Sequence, residues 1–284
     1  MSDLPVFPKL PAALRPRARA GLSFALPRLT IWHGFGLTAL LLICASVAQA
    51  ANPAPLQKSI FATLVQWTPL LLRGFLLNIE ISFLSMAMGT ILGIALGLGL
   101  VAQTKPLRQT SWALTQFFRN APWLALLFFM IYLLPYHMRI GGLHISLPDW
   151  LKAVVGLGLP VMANVAEIVR GGVRSIHPGQ WEASESLGFT RNQQLFSIIL
   201  PQAFKRMLPP WMNLYAILTT NTTLASIVGV NDVVTRAGQV LAAAGNNPGL
   251  LAPVYAYVLL LFFIYTYPVA IATRRLERRT KVRI

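Results

Sequence analysis

The sequence predicts an all-α membrane protein of about six transmembrane helices, or about five if the first is cleaved, with a helix-turn-helix loop on the cytoplasmic side. Three observations carry this. Of the 284 residues, 55% are hydrophobic and only 11% are charged, against roughly 25% charged in an ordinary soluble domain. The formal net charge is +16, but the basic residues stand between and beyond apolar runs. That is the pattern of cytoplasmic membrane loops and not of a nucleic-acid-binding patch. Finally, one polar stretch interrupts the apolar runs, Gly179-Gln180-Trp181-Glu182-Ala183-Ser184-Glu185-Ser186-Leu187-Gly188, followed by Ile198-Ile199-Leu200-Pro201. Cys44 is the only cysteine, which excludes an intrachain disulfide and a cysteine-based metal site.

Residues 1–30 are rich in Pro, Arg and Ala, with Arg15, Arg17, Arg19 and Arg28, and read as a disordered basic cytoplasmic tail. Residues 31–51 hold an uncharged run from Gly34 to Ala51, about 18 residues and near the lower limit for a span. Two readings fit it: a retained first transmembrane helix, or a signal peptide cleaved at Ala48-Gln49-Ala50. The long basic region before it favours the retained helix. Both readings put the following residues outside the cytoplasm. Residues 52–73, with Pro53, Pro55, Pro69 and Trp67, read as an external linker ending in an interfacial segment.

Ile81 to Ala102 is uncharged and long enough to span. Gly89, Gly93 and Gly97 recur every fourth residue, so they line one helix face and admit another helix closely. The alternative is that membrane helices are simply rich in glycine. Lys105 and Arg108 mark a cytoplasmic loop. The next span, Trp112 to Tyr136, is interrupted at Arg119-Asn120-Ala121-Pro122, where proline either kinks the helix or marks its first turn. Arg119, near the cytoplasmic end, can snorkel to lipid phosphates.

His137 to Asp149 reads as a short external loop; His137 and His144 lack the company of carboxylates or cysteines that a metal site needs. Trp150 to Val169 is a weaker span, ending near Glu167 and Arg170, three apart on one helix face. Beyond the polar loop, Trp211 to Asn231 spans again and Asn231 to Asn247 is external. Gly249 to Thr273 is the last span, and residues 276–284 form a basic cytoplasmic tail. Both termini are thus cytoplasmic.

Within the loop, Glu182 onward reads as helix, Gly188 as its terminator, and Thr190 or Asn192 as the cap of a second helix carrying Leu195, Phe196, Ile198, Ile199 and Leu200. Pro201 and Pro209 limit how far that helix continues straight. Two short helices with an apolar face suit docking into a partner's groove. The competing reading is an amphipathic segment resting on lipid, against which Glu182 and Glu185 count.

In the span after the loop, Thr219, Thr220, Asn221, Thr222, Thr223 and Ser226 break an apolar run. On an α-helix Thr219, Thr222, Thr223 and Ser226 share one face, and polar groups facing lipid are costly, so the face points inward. It lines a solute path, or it serves hydrogen bonds between helices. A secondary transporter would need coupling charges at mid-membrane, whereas Glu80, Arg119, Glu167 and Arg170 stand near span ends. No convergent set of catalytic side chains suggests a membrane enzyme.

Glu182-Ala183-Ser184, three residues, Gly188, nine residues, Ile198, one residue and Leu200-Pro201 closely resembles the EAA loop of ABC importer permeases, with Ser184 where the family has alanine. Phe118-Arg119-Asn120-Ala121-Pro122 resembles the F-R-N-T-P segment of the polar amino acid permeases, with Ala121 for threonine. Glu167-Ile168-Val169-Arg170-Gly171-Gly172 resembles that group's segment before the loop. Asn221 to Gly229 is similar to the segment after it, most of all in glutamate/aspartate permeases, although Thr220 stands where those often have lysine. The resemblance runs from about Gly74 to the C-terminus.

It implies an ABC permease transmembrane domain over residues 74–275, containing a coupling loop at 171–209, in a multi-pass protein of the bacterial inner membrane. Residues 52–73 are then periplasmic. Glu182, Ala183, Ser184, Gly188, Ile198, Leu200 and Pro201 would couple the domain to a cytoplasmic ABC ATPase dimer. The other implied partners are a second permease subunit, identical or homologous, and a periplasmic amino acid-binding protein. The implied substrate is a polar L-amino acid; the glutamate/aspartate type is left open, since Thr220 weakens the carry-over of an acidic substrate. Asn221, Thr222, Thr223 and Ser226 would offer hydrogen bonds to its ammonium and carboxylate. The chain has no Gly-Lys-Ser/Thr phosphate cradle. ATP and magnesium are therefore expected on the partner, with no cofactor and no catalytic residue on this chain.

Overall fold

A computed structural model describes residues 60–140 and 143–280. The expected basic tail, the expected first span and the beginning of the expected linker lie outside the described residues. The chain runs α1 (Ile60–Leu100), α2 (Lys105–Asn120), α3 (Trp123–Leu133), β1 (His137–Ile140), β2 (Leu143–Ser146), α4 (Asp149–Arg174), α5 (Pro178–Ser186) and α6 (Arg191–Gln193). A π-helical turn (Gln194–Ile199) leads into α7 (Leu200–Asn221), and a 3₁₀ segment (Thr222–Val228) precedes α8 (Val233–Ala243) and α9 (Pro248–Thr280). The membrane body is helical, as expected. The addition is a small antiparallel hairpin in the expected external loop, pairing His137 with Ser146 and Ile140 with Leu143.

Helix α1 begins well before the expected span. Residues 60–73 are helical through Pro69 and not a linker. At 41 residues and ~1.5 Å rise per residue the helix is ~60 Å long, about twice the hydrocarbon thickness of a bilayer. Its early half is held by distant apolar partners: Leu64, Leu71 and Phe75 pack with Val233, Ala237 and Val240 of α8 and with Val254 and Phe262 of α9. The Thr68 hydroxyl donates to the Leu64 carbonyl at 2.8 Å beside the proline.

Among the described residues, α1, α4 and α9 are each long and apolar enough to cross a membrane. Helices α2 and α3 qualify only as a pair, bent by 103°. The expected single span from Trp112 to Tyr136 is therefore broken. Ala121 and Pro122 are extended, with ψ of 135° and 128°, because proline's ring disfavours a helical residue before it. The expected span from Trp211 to Asn231 is likewise not one helix, since α7 ends at Asn221. Among the described residues there are thus 3 spans, or 4 counting the bent pair; the first of the expected six lies outside those residues, and the count of six is not confirmed. Pro209 and Pro210 lie inside α7 and do not end it. The carbonyls that lose helical donors there belong to Lys205 and Arg206, both exposed residues.

The second half of α1 packs along α4, and the glycine stripe sits in that seam. A Cβ on Gly89 would lie 2.5 Å from Val161, one on Gly93 2.6 Å from both Val165 and the Met162 carbonyl, and one on Gly97 2.6 Å from Val169. Both Gly93 and its neighbours are helical backbone that cannot yield locally. Gly93→Ala is expected to cost ~1–3 kcal/mol by overpacking and to lower the melting temperature of the solubilised protein. Gly238→Ala in α8, where an added Cβ meets nothing within 4 Å, should leave it unchanged or slightly raised. Equal melting temperatures for the two variants would contradict the seam.

Candidate functional site

The polar loop is two helices closed on each other. His177 Nδ1 accepts from the Gly179 N–H at 3.1 Å at the start of α5, and Pro178 sits in the first turn, where a missing N–H costs nothing. Helix α5 ends in a Schellman turn. The Phe189 N–H donates to the Ser184 carbonyl at 3.1 Å and the Gly188 N–H to the Glu185 carbonyl at 2.9 Å. Gly188 has φ +78°, and an added Cβ there would meet nothing within 4 Å. The position needs glycine for its backbone angle and not for space. Thr190, of the two expected candidates, caps the second helix, its N–H donating to Gln193 Oε1 at 2.8 Å in a capping box.

Val173, Ile176, Ile199 and Ala203 form a small core that Trp181, Leu195, Ile198 and Leu200 border. The Arg191 guanidinium lies 3.6 Å from the centre of the Trp181 ring, joining the two helices by a cation–π contact. Gln202 Nε2 donates to Gln180 Oε1 at 3.1 Å, and the Arg206 guanidinium donates to the Ser175 carbonyl. The loop is thereby fixed to the ends of α4 and α7.

The expected loop residues divide between two roles. Glu182, Ala183, Gly188 and Pro201 are exposed. Ser184 is buried, its hydroxyl donating to the Trp181 carbonyl at 2.8 Å, so this position admits only a small side chain. Ile198 and Leu200 are half-buried in the small core and face the body. Leu187, at 76% exposure, adds an apolar side chain to the exposed turn, whereas Phe196, at 57%, borders a cleft against the end of α1. Leu187 was not singled out from sequence, although its place beside the helix-ending glycine puts it at the tip of the turn.

The threonine cluster does not share one α-helical face, because the chain tightens to 3₁₀ at Thr222 and side chains three apart align. The hydroxyls follow that period, Thr220 donating to the Ile217 carbonyl at 2.8 Å, Thr223 to that of Thr220 at 2.9 Å and Ser226 to that of Thr223 at 2.7 Å. Thr223 and Ser226 are half-exposed on that strip, as is Asn221. Thr222 falls on the other side, fully buried with Thr219. Asn78 Nδ2 of α1 donates to the Thr222 hydroxyl at 3.0 Å, so Thr222 makes the interhelical contact.

A third constellation unites two stretches that the sequence keeps apart. Arg119 at the end of α2 approaches Glu167 of α4, Nη1 to Oε1, at 3.7 Å. Arg170 Nε donates to Glu167 Oε2 at 2.9 Å, and Gln116 Nε2 donates weakly to Oε1 at 3.4 Å. Arg119 is thus turned to a protein carboxylate. Arg119 and Glu167, with Asn164, Arg206 and Asn213, border a cleft of about 500 Å³ between α4 and α7. Asn213, Ile217 and Asn221 lie at four-residue spacing on α7, and the first two of them line the cleft.

The sequence matches, over residues 89–282, a family described as the binding-protein-dependent transport system inner membrane component. It is 32% identical over 206 residues to a probable glutamine ABC transporter permease protein of Bacillus subtilis (strain 168), covering 72% of this chain and 91% of that one. It is 33% identical over 214 residues to the glutamine transport system permease protein of Escherichia coli (strain K12), covering 75% and 94%. The fold is similar to a chain in the crystal structure of an amino acid ABC transporter with histidines, with a TM-score of 0.67 at 24% identity, covering 79% of this chain and 100% of that one.

Proposed function

The chain belongs to the family of binding-protein-dependent transport system inner membrane components, and from that premise we propose that it carries polar L-amino acids as the permease subunit of an ATP-driven importer. The observation that carries the reading is the loop from α5 to α7: a rigid two-helix unit presenting Glu182, Ala183, Leu187 and Gly188 outward while Ile198 and Leu200 anchor it. It is a shape that docks into a groove. A phosphate cradle is missing from this sequence, so the docking partner is a cytoplasmic ATPase dimer that binds ATP and magnesium. A second permease subunit, alike or related, faces this one, and a periplasmic binding protein delivers the solute.

Basic residues at Lys105 and Arg108, around the loop and at Arg274 to Arg279 support placing these segments and both termini on the cytoplasmic side. The amino acid class rests on the glutamine permeases among the relatives and on the polar strip of Asn221, Thr223 and Ser226, which offers hydrogen bonds to an ammonium and a carboxylate. Asn221→Ala is expected to raise the half-saturating solute concentration about tenfold, the size of one hydrogen bond to a charged group. Unchanged uptake kinetics and selectivity would remove Asn221 from the path.

The whole reading is tested with the purified permease, its ATPase and its binding protein. Polar amino acids should stimulate ATP hydrolysis, and a complete lack of response to every amino acid would sink the transport assignment.

A further inference from the structure

We propose that the cleft between α4 and α7 is a solute site in which Arg119 takes the α-carboxylate and Glu167 the α-ammonium of a neutral or acidic L-amino acid, with cationic amino acids excluded. The proposal rests on the amino acid permease reading and assigns it residues and a charge preference.

The ion pair between Arg119 and Glu167 does not close. A carboxylate and a guanidinium in direct contact stand ~2.7–2.9 Å apart, whereas Arg119 and Glu167 are 3.7 Å apart. Glu167 has no need of Arg119, because Arg170 already meets its Oε2 at 2.9 Å. Its Oε1 has only the long contact from Gln116 at 3.4 Å besides Arg119. Arg119 is 46% exposed, so its remaining N–H groups open on the cleft. The result is one acceptor and one fork of donors, of opposite charge and neighbouring, beside about 500 Å³ of space. An α-amino acid carries a carboxylate and an ammonium on one carbon, which suits it to enter between the two.

The rest of the lining fits the same guest. Asn164 Nδ2 is used by the Pro160 carbonyl at 2.8 Å, which leaves its Oδ1 as an acceptor for the ammonium or a side-chain amide. Asn213 adds a second amide, and Ile168, Leu214 and Ile217 supply an apolar wall for methylenes. Two guanidiniums that line the cleft, of Arg119 and Arg206, stand against the single lining carboxylate, Glu167, which Arg170 already pairs from outside the lining. That excess repels a cationic side chain and accepts a neutral or anionic one.

The test is equilibrium binding of radiolabelled amino acids to the permease–ATPase complex in nanodiscs, without the binding protein. Wild type should bind L-glutamine and L-glutamate, and bind L-arginine and the α-methyl ester of glutamine at least about tenfold more weakly. Arg119→Gln should bring glutamine and its ester to within about twofold of each other, and Arg119→Lys should restore most of the difference, since the charge and not the packing is read. Wild type binding arginine as tightly as glutamine, binding no amino acid, or Arg119→Gln still rejecting the ester would each overturn the site. ATP-driven uptake by the complete importer separates the two levels: uptake that persists with an overturned cleft leaves the permease reading intact, and uptake of no amino acid at all sinks that reading itself.

Discussion

Gly188→Val is expected to reduce ATP-driven uptake about tenfold or more while the protein still inserts in the membrane. The cause is conformational. Gly188 holds φ +78°, and a β-branched residue in the left-handed region costs at least ~1–2 kcal/mol. A shift of that size moves a two-state equilibrium by about tenfold. The Schellman turn would open, losing the bonds from Phe189 to Ser184 and from Gly188 to Glu185. Glu182 and Ala183 would then no longer be presented with Leu187 as one surface. Gly188→Asn should keep most uptake, because asparagine tolerates the left-handed region and space around the position is open. Rates of uptake and of ATP hydrolysis in reconstituted vesicles decide the matter. Full uptake by the valine variant would mean that the loop is not the joint between ATPase and membrane domain.

Asp232→Ala should destabilise the protein by ~2–4 kcal/mol, combining a lost helix cap with an unsatisfied buried amide. Asp232 is fully buried. Its Oδ1 accepts from the Thr235 N–H at 2.9 Å, capping α8, and its Oδ2 accepts from Asn78 Nδ2 at 3.1 Å. Asn78, also fully buried, accepts from the Val233 N–H at 3.0 Å and donates to the Thr222 hydroxyl. One pair of side chains thus ties α1, the 3₁₀ segment and α8 together, and it holds the strip that carries Thr223 and Ser226 in place. Thermal unfolding of the solubilised protein should show the loss, with Asp232→Asn milder because its Oδ1 can still cap. An Asp232→Ala protein as stable as wild type would show that the pair bears no load.

What could be read from the sequence was what neighbouring residues decide. Gly188 and Thr190 are local signals for a helix end and a helix start, and both elements stand where those signals put them. The four-residue spacing of Gly89, Gly93 and Gly97 marks a face that needs no knowledge of its partner. The bend at Pro122 was visible as a choice between kink and first turn, and the extended Ala121 makes it a break. What stayed hidden depends on residues far away. The early half of α1 is helix because α8 and α9 cover it, and hydropathy within residues 60–73 does not contain that. The switch to 3₁₀ at Thr222 follows from burial of its hydroxyl against Asn78, a partner from α1. The meeting of Arg119 with Glu167 depends on how α2 packs on α4, so each read alone as a charge near a span end.

A loop whose outer face seats on an ATPase should move with the ATPase's cycle. Cys44 is the only cysteine, so Cys44→Ser with Leu187→Cys places one thiol at the tip of the turn, where Leu187 is 76% exposed. A short bifunctional cross-linker applied to the reconstituted importer should then join the permease to the ATPase, with a yield that changes between the nucleotide-free and ATP-bound states. A thiol that yields no ATPase adduct, or reacts only with lipid headgroups and identically with and without ATP, would contradict the account.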